Sequence, residues 1–240
     1  MRLLRLFIAS LLMHAMASAT DIPTYHLRLQ ANGNGEGRAL ATVVVGHCSP
    51  GTLNLPLGFS ALEELRLEEA PPGVSLDLGL RDTITTLRFH ITTAITDPVT
   101  LRFSFLVKQV FQTLKTSPGE KSTLPAGSRL FRHAFVNTQE PPIGIYRMEL
   151  LFPEGMIAQS IREQLPKLEK QEVGPRVALS VIDGRQSATL TYANVHQGDD
   201  TSMALELVPT RRSFGWLIAG LLLAGLYLFK FRDLVAKQQP

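Results

Sequence analysis

This chain of 240 residues contains a single cysteine, Cys48. One thiol excludes a disulfide within the chain, although small exported scaffolds commonly depend on disulfides. About 190 residues between the two ends of the chain are enough to bury a stable core without such bonds. We therefore interpret Cys48 as a small buried apolar residue, and a reactive thiol or an intermolecular disulfide is the alternative.

Recognisable catalytic motifs are also lacking. The sequence has no G-x-S-x-G elbow, no H-E-x-x-H, no phosphate-binding G-x-x-x-x-G-K and no C-x-x-C. Beyond the N-terminal segment the histidines stand singly, without the spacing of metal ligands: His26, His47, His90, His133 and His196. We predict no catalytic, cofactor-binding or metal-binding residue, with an active site assembled from distant strands as the alternative.

Aromatic residues that could form a sugar-binding platform are scarce. The one tryptophan lies in an apolar stretch near the C-terminus, and three tyrosines stand before it, at Tyr25, Tyr146 and Tyr192. These tyrosines continue or flank apolar strand faces, which predicts a role in the core. The sequence also lacks an Asn-x-Ser/Thr acceptor, so no N-glycan site is present.

Positive charge is concentrated at the two ends of the chain. The formal net charge is +3, of which Arg2 and Arg5 supply +2 and the tail from Lys230 another +2. The region between these ends therefore carries −1. A slightly acidic surface lacks the basic footprint of a nucleic-acid-binding protein, so we predict no nucleic-acid partner.

The apolar stretch at 213–231 predicts a single transmembrane helix that anchors the protein in the lipid bilayer. Its uncharged part spans roughly 25 Å at about 1.5 Å per residue, and Lys230 can snorkel toward the headgroups. Trp216 and Tyr227 lie where aromatic belts lie, and Arg232 begins a short basic tail at 232–240. A buried core helix is the alternative.

Small residues within this helix repeat at a spacing of four. Gly215 pairs with Ala219, and Gly220 pairs with Ala224, which gives two small-x-x-x-small motifs that permit close helix–helix contact. The alternative is a plain anchor, because such pairs are common in spans rich in Ala, Gly and Leu.

Residues 1–19 have the three parts of a signal peptide. Arg2 and Arg5 precede a short apolar stretch, and Ala17–Ala19 is a small-residue cleavage site. An uncleaved anchor is the alternative. With the N-terminus exported, the protein is predicted to be a single-pass type I membrane protein, with a periplasmic or extracellular domain and a cytoplasmic C-terminus.

The region between the two ends is predicted to be rich in β-strands. We divide it into a first β-rich region at 20–116, a linker or long loop at 117–128 and a membrane-proximal region at 129–210. The clearest alternation of apolar and polar residues is in Thr86–Thr93 and Val99–Val107. These two segments are predicted to be half-buried antiparallel strands joined through a turn at Asp97 and Pro98.

Asp183-Gly184 is the sharpest hairpin signal in the chain. A two-residue turn here places Ile182 opposite Arg185 and Val177 opposite Leu190. The same register places Leu179 opposite Ala188, so apolar residues meet apolar residues on one face.

The pattern of two segments is compatible with either a helix or a strand. Leu62–Glu69 fits either. Met156–Lys170 is the best helix candidate, because its apolar residues recur at spacings of three or four, with an irregular strand as the alternative. These apolar residues are Ile157, Ile161, Leu165 and Leu168.

Together these patterns predict an all-β exported part with about ten to twelve strands and one C-terminal transmembrane helix. Short strands at this spacing are typical of an immunoglobulin-like β-sandwich, either one large domain or two in tandem. Without catalytic motifs, the favoured function is a non-enzymatic interaction or assembly module that binds another envelope protein through an exposed sheet edge. The alternative is an anchored hydrolase or a ligand or polysaccharide sensor.

Overall fold

The computed structural model of the chain describes residues 20–59, 62–81, 84–112, 125–138, 142–164, 176–210 and 215–236. Within these residues it contains fourteen β-strands and one α-helix. The strands are β1 (Ile22–Ala31), β2 (Gly37–Val45), β3 (Gly51–Pro56), β4 (Leu62–Glu69), β5 (Val74–Arg81), β6 (Ile84–Ile91), β7 (Val99–Val107), β8 (Phe111–Gln112), β9 (Arg129–Val136), β10 (Ile143–Leu151), β11 (Met156–Gln164), β12 (Arg176–Ile182), β13 (Arg185–Val195) and β14 (Asp200–Pro209), and helix α1 is Gly215–Ala236. The predicted signal peptide at 1–19 lies outside the described residues.

The described strands form three sheets. The largest has seven strands in the order β12-β13-β10-β1-β2-β7-β4, and the others have the orders β11-β14-β9-β8 and β3-β6-β5. At the centre of the large sheet β1 and β10 pair in parallel, with Tyr25 beside Tyr146, while β1 and β2 form an antiparallel hairpin. A parallel pair needs a long connection along the chain, so the middle of this sheet depends on contacts between distant segments.

The two smaller sheets pack against one face of the large sheet and enclose a common core. The Tyr25 ring in β1 lies 5.7 Å from the Phe135 ring in β9, and its hydroxyl donates a 3.1 Å hydrogen bond to the carbonyl of Pro56 in β3. Tyr25, Tyr146 and Tyr192 are all buried, as predicted. The prediction of a mostly β, sandwich-like fold is therefore confirmed, whereas the three sheets and the parallel pair differ from the two antiparallel sheets of an immunoglobulin-like domain.

The predicted pairing of Thr86–Thr93 with Val99–Val107 is wrong, although both segments are strands with the expected buried faces. β6 pairs with β3 and β5 in the three-stranded sheet, while β7 pairs with β2 and β4 in the large sheet. The inward residues meet across the sandwich, where the rings of Phe89 and Phe103 lie 5.5 Å apart. The alternation of apolar and polar residues identifies the buried face of a strand, but it does not determine which strands pair with it.

The predicted helix at Met156–Lys170 is wrong over the described residues, because Met156–Gln164 is strand β11. It pairs with β14, with a register shift between Ala158 and Ser160. Ile157 and Ile161 are four residues apart, and this spacing fits the period of two of a strand as well as the period of a helix. Leu165 and Leu168 lie outside the described residues. Leu62–Glu69, for which helix and strand were both open, is strand β4.

The chain divides into two compact units, one ending at Pro209 and one beginning at Thr210. Most of the predicted linker at 117–128 lies outside the described residues, so the predicted domain boundaries stay a prediction. The large sheet contains strands from both sides of that segment.

Helix α1 covers most of the apolar stretch at 213–231 and ends beyond it, at Ala236. Its charged residues begin at Lys230, so its uncharged part measures about 22 Å at 1.5 Å per residue, against roughly 30 Å of hydrocarbon. In the described part of the chain, no helix combines the length and the apolar character of a membrane span. The membrane-spanning prediction is therefore not supported by the structure.

The core contains a buried polar pair, His133 and Tyr146. His133 Nε2 lies 2.6 Å from the Tyr146 hydroxyl, and both residues are buried. Burial lowers the pKa of His133 to about 4, so the ring is neutral at physiological pH. Gly58, at φ +71°, packs against this ring, and a Cβ there would lie 2.6 Å from His133 Cε1. A larger residue at position 58 therefore cannot fit without displacing the pair.

Candidate interaction site

The hairpin of β12 and β13 forms as predicted. Every pair of the predicted register is present, from Ile182 opposite Arg185 to Val177 opposite Leu190. The turn residues Asp183 and Gly184 have φ of 51° and 73°. Positive φ at both positions is what a type I′ turn needs, and its twist matches that of the strands it joins.

Strand β12 forms one edge of the large sheet. One side of it pairs with β13, and among the residues that the structure describes no strand pairs with its other side from Ala178 to Ile182. Val177–Ile182 contains no charge, no proline and no glycine. Val177–Ile182 therefore lacks the charges and the proline by which sheet edges commonly prevent further pairing.

Apolar side chains on β12 are exposed on the side of the sheet that faces the core. Leu179 lies opposite Ala188, which in turn lies opposite the buried Leu150 of β10. Leu179 is nevertheless 42% exposed and Val181 is 72% exposed. The apolar face of the large sheet thus extends past the strands that cover it.

Strand β11 brings further apolar side chains to the same end of the sandwich. The Ala158 N–H in β11 donates a 2.8 Å hydrogen bond to Oε1 of Gln186, the residue paired with Val181. Ile157 and Ile161 of β11 are 40% and 37% exposed. The edges of two sheets therefore meet here with apolar side chains on both.

The opposite edge of the large sheet, β4, is built differently. Its eight residues include five charged ones, and its pairing with β7 is interrupted by two register shifts. Glu64, between the first pair of shifted positions, has φ 52°. Arg102 Nη1 in β7 lies 3.3 Å from Glu69 Oε2 in β4. Bulges and charges of this kind obstruct the addition of another strand.

The described residues offer no cluster of metal-ligating side chains. No group of three or more His, Cys, Asp or Glu residues among them could hold a metal ion. Cys48 is buried, with its thiol 3.4 Å from the Thr20 hydroxyl, and His90 is exposed on β6. The only histidine among them that is fully enclosed by the core is His133, which contacts aromatic rings.

The residues predicted for anchoring and helix contact lie on α1: Gly215, Trp216, Ala219, Gly220, Ala224, Tyr227, Lys230 and Arg232. Gly220 and Ala224 are exposed on one face of the helix, and beyond the helix's own backbone no described atom lies within 4 Å of a Cβ built at Gly220. The ring of Tyr227 packs on that of Phe231, with centroids 4.2 Å apart. These roles stay predictions.

The sequence predicts the hairpin but does not identify β12 as an edge strand. Leu179 and Val181 look like ordinary core residues in the sequence, because the hairpin register places them on an apolar face. The one available signal was the absence of any charge in Val177–Ile182, which is also typical of a buried strand.

Comparisons with known proteins show a distant likeness of shape. No protein-family model matches the chain, and no curated protein matches it. Solved structures that resemble it include a candidate protease from Parabacteroides distasonis, at 10% identity over 79% of this chain and 40% of that chain with a TM-score of 0.48. An M1 zinc metallopeptidase from Deinococcus radiodurans shares 13% identity over 80% and 42% of the two chains (TM-score 0.39), and yeast LTA4 hydrolase shares 8% over 80% and 29% (TM-score 0.42). The chain thus spans less than half the length of these structures.

Proposed function

We propose that this chain is a non-enzymatic interaction module of the cell envelope that binds a partner protein by strand addition at β12. The proposal includes export of the β-rich part and attachment to the membrane through the C-terminal segment. The observation that carries it is the edge at Ala178–Ile182, which is uncharged and has no described strand on its outer side.

Strand addition uses the backbone of an edge strand for affinity and its side chains for specificity. The incoming segment would adopt a β-strand conformation and would continue the backbone hydrogen bonding of the sheet beyond β12. Its alternate residues would be apolar, because they would lie beside Leu179 and Val181 on the core-facing side. Burial of these two side chains would contribute roughly 25 cal/mol for each Å² of apolar surface removed from water.

The partner segment can also contact β11. Ile157 and Ile161 lie on the neighbouring sheet edge, next to the hydrogen bond between Ala158 and Gln186. An extended segment on β12 would thus close the open end of the sandwich instead of only lengthening one sheet. This favours a segment with apolar residues on one face over a uniformly polar one.

Site-directed photo-cross-linking in the native membrane tests the proposal. A photoreactive residue replaces Val181 in one protein and Ile145 in another. Ile145 is a matched control because it is apolar, 47% exposed and in the same sheet, but lies two strands in from the edge. We expect one discrete cross-linked partner from position 181 and none from position 145.

The same experiment repeated with Leu179→Lys should lose that cross-link, because a charge on the core-facing side opposes a further apolar strand. Equal cross-linking from both positions, or no cross-link from position 181, would overturn strand addition at β12.

Membrane attachment is tested separately. The full chain should stay with membranes after extraction with alkaline carbonate, whereas a chain that ends at Arg212 should be released. Release of the full chain would contradict the attachment and leave the β12 proposal standing.

A further inference from the structure

The large sheet carries a cavity on the face opposite to the core. It measures about 370 Å³ and lies where β10, β1 and β2 run side by side. Its wall includes Arg28, Arg38, Leu40, Leu151, Asp183 and Arg185. Small-molecule sites have volumes of about 300–1,000 Å³, so the cavity can hold a small organic ligand.

Arg185 is fixed in this wall by the protein backbone. Its Nε donates a 2.8 Å hydrogen bond to the carbonyl of Phe152, and its Nη2 donates a 2.7 Å hydrogen bond to that of Ala31. Within the described part of the chain, its Nη1 makes no hydrogen bond. A guanidinium held in this way loses little side-chain freedom when its remaining N–H groups bind a ligand.

Arg28 and Arg38 have carboxylate neighbours, but both pairs are long. Arg28 Nε lies 3.8 Å from Glu149 Oε1, and Arg38 Nη2 lies 4.0 Å from Glu64 Oε2. These distances exceed a hydrogen bond, so both guanidinium groups keep N–H donors for a ligand. Among the described residues of the cavity wall, Asp183 is the one acidic residue, against three arginines.

The cavity also has an apolar part. Leu40 is 40% exposed, and Leu151 lies in the wall beside Arg185. Arginine forks match the geometry of phosphate and carboxylate oxygens, and apolar side chains suit the non-ionic part of an organic molecule. We propose that this cavity binds a small organic anion that carries a phosphate or carboxylate group, which is a function separate from partner binding at β12.

Isothermal titration calorimetry on the full chain in a non-ionic detergent tests this site, with glucose 6-phosphate as the probe. Glucose serves as the uncharged control. We expect saturable binding of glucose 6-phosphate and none of glucose. Arg28→Gln and Arg38→Gln should each weaken the binding about tenfold, since each removes a charged hydrogen-bond donor.

Arg102→Gln is the matched control, because Arg102 is an exposed arginine of the same sheet outside the cavity. It should leave the affinity unchanged. Arg185 is not substituted, because it supports the backbone. The absence of saturable binding, equal binding of glucose, or equal weakening by Arg102→Gln would each overturn the proposal.

Reconstitution of the chain in vesicles shows whether the site binds a lipid headgroup or a free anion. If phosphatidylglycerol vesicles abolish the glucose 6-phosphate binding seen in phosphatidylcholine vesicles, a lipid headgroup occupies the site. Unchanged binding in both assigns the site to a free anion. Either result supports recognition of the anionic group, and loss of binding in both vesicle types overturns it.

Discussion

The two edges of the seven-stranded sheet differ in almost every feature that controls strand pairing. β4 has charges along its length, two register shifts and a residue with positive φ, whereas Ala178–Ile182 in β12 has none of these. Both belong to the same sheet and rest on the same core. The difference is therefore a local property of each edge strand.

An unprotected sheet edge is a risk for aggregation, and soluble proteins commonly block their edges. This chain blocks the β4 edge and leaves Val177–Ile182 of β12 without charge. A partner strand at β12 would explain both observations, since one edge would be closed by the chain itself and the other by binding.

Both edges rest on one core. The largest expected change in the free energy of unfolding comes from protonation of His133, which is buried in that core. The pKa of His133 is about 4 in the folded state and about 6.5 in the unfolded state. The contribution of the neutral ring to the free energy of unfolding is therefore complete above pH 6.5 and is lost as the pH falls toward 4. The loss should reach about 3 kcal/mol. Denaturant unfolding of the wild type and of His133→Gln from pH 7.5 to 4 measures it. An equally steep pH dependence in the variant would contradict this assignment.

Making β12 resemble β4 should abolish the functional difference between the edges. Leu179→Lys combined with Val181→Lys should weaken partner binding at least tenfold, because two charges would lie against the incoming strand. Since both side chains are exposed, the free energy of unfolding should change by only about 0.5 kcal/mol for each substitution. Affinity measurements with the cross-linked partner, together with thermal unfolding, test this. Unchanged affinity would show that binding lies elsewhere.

Relieving the backbone strain at Glu64 in β4 should increase the free energy of unfolding. Glu64 has φ 52°, a conformation that glycine adopts freely, so Glu64→Gly should stabilise the chain by about 1 kcal/mol. Asn194→Gly is the control, because Asn194 also has positive φ, at 53°, but asparagine tolerates it better. Denaturant unfolding should rank Glu64→Gly above Asn194→Gly, and the reverse order would contradict the argument.

The smallest effect is expected at the exposed ion pair of the β4 edge. Arg102 and Glu69 are each about half exposed, so solvent screens their attraction. Arg102→Ala should reduce the free energy of unfolding by less than about 1 kcal/mol, and 0.5 M salt should remove most of that difference. A larger or salt-independent loss in thermal unfolding would show a structural role for Arg102.

The sequence predicts some of these features well because they are encoded locally. The two residues Asp183 and Gly184 determine a turn, the turn determines the register of β12 and β13, and the whole predicted register is present. The burial of Tyr25, Tyr146 and Tyr192 likewise follows from alternation along single strands.

Other features depend on distant contacts. The parallel pairing of β1 with β10 places the β12–β13 hairpin at the edge of the sheet, and no local pattern encodes that pairing. Nor does any local pattern distinguish Leu179 and Val181 from core residues, or show that Arg28, Arg38 and Arg185 share a cavity. These sites could be found only after the sheet order was known.

Hydrogen–deuterium exchange tests the central claim most directly. The β12 amides that point away from β13 should exchange rapidly in the free chain and slowly in the complex with the partner, while the amides of β4 should keep their rates. Slow exchange of all amides from Ala178 to Ile182 in the free chain, or no change on partner binding, would contradict strand addition at this edge.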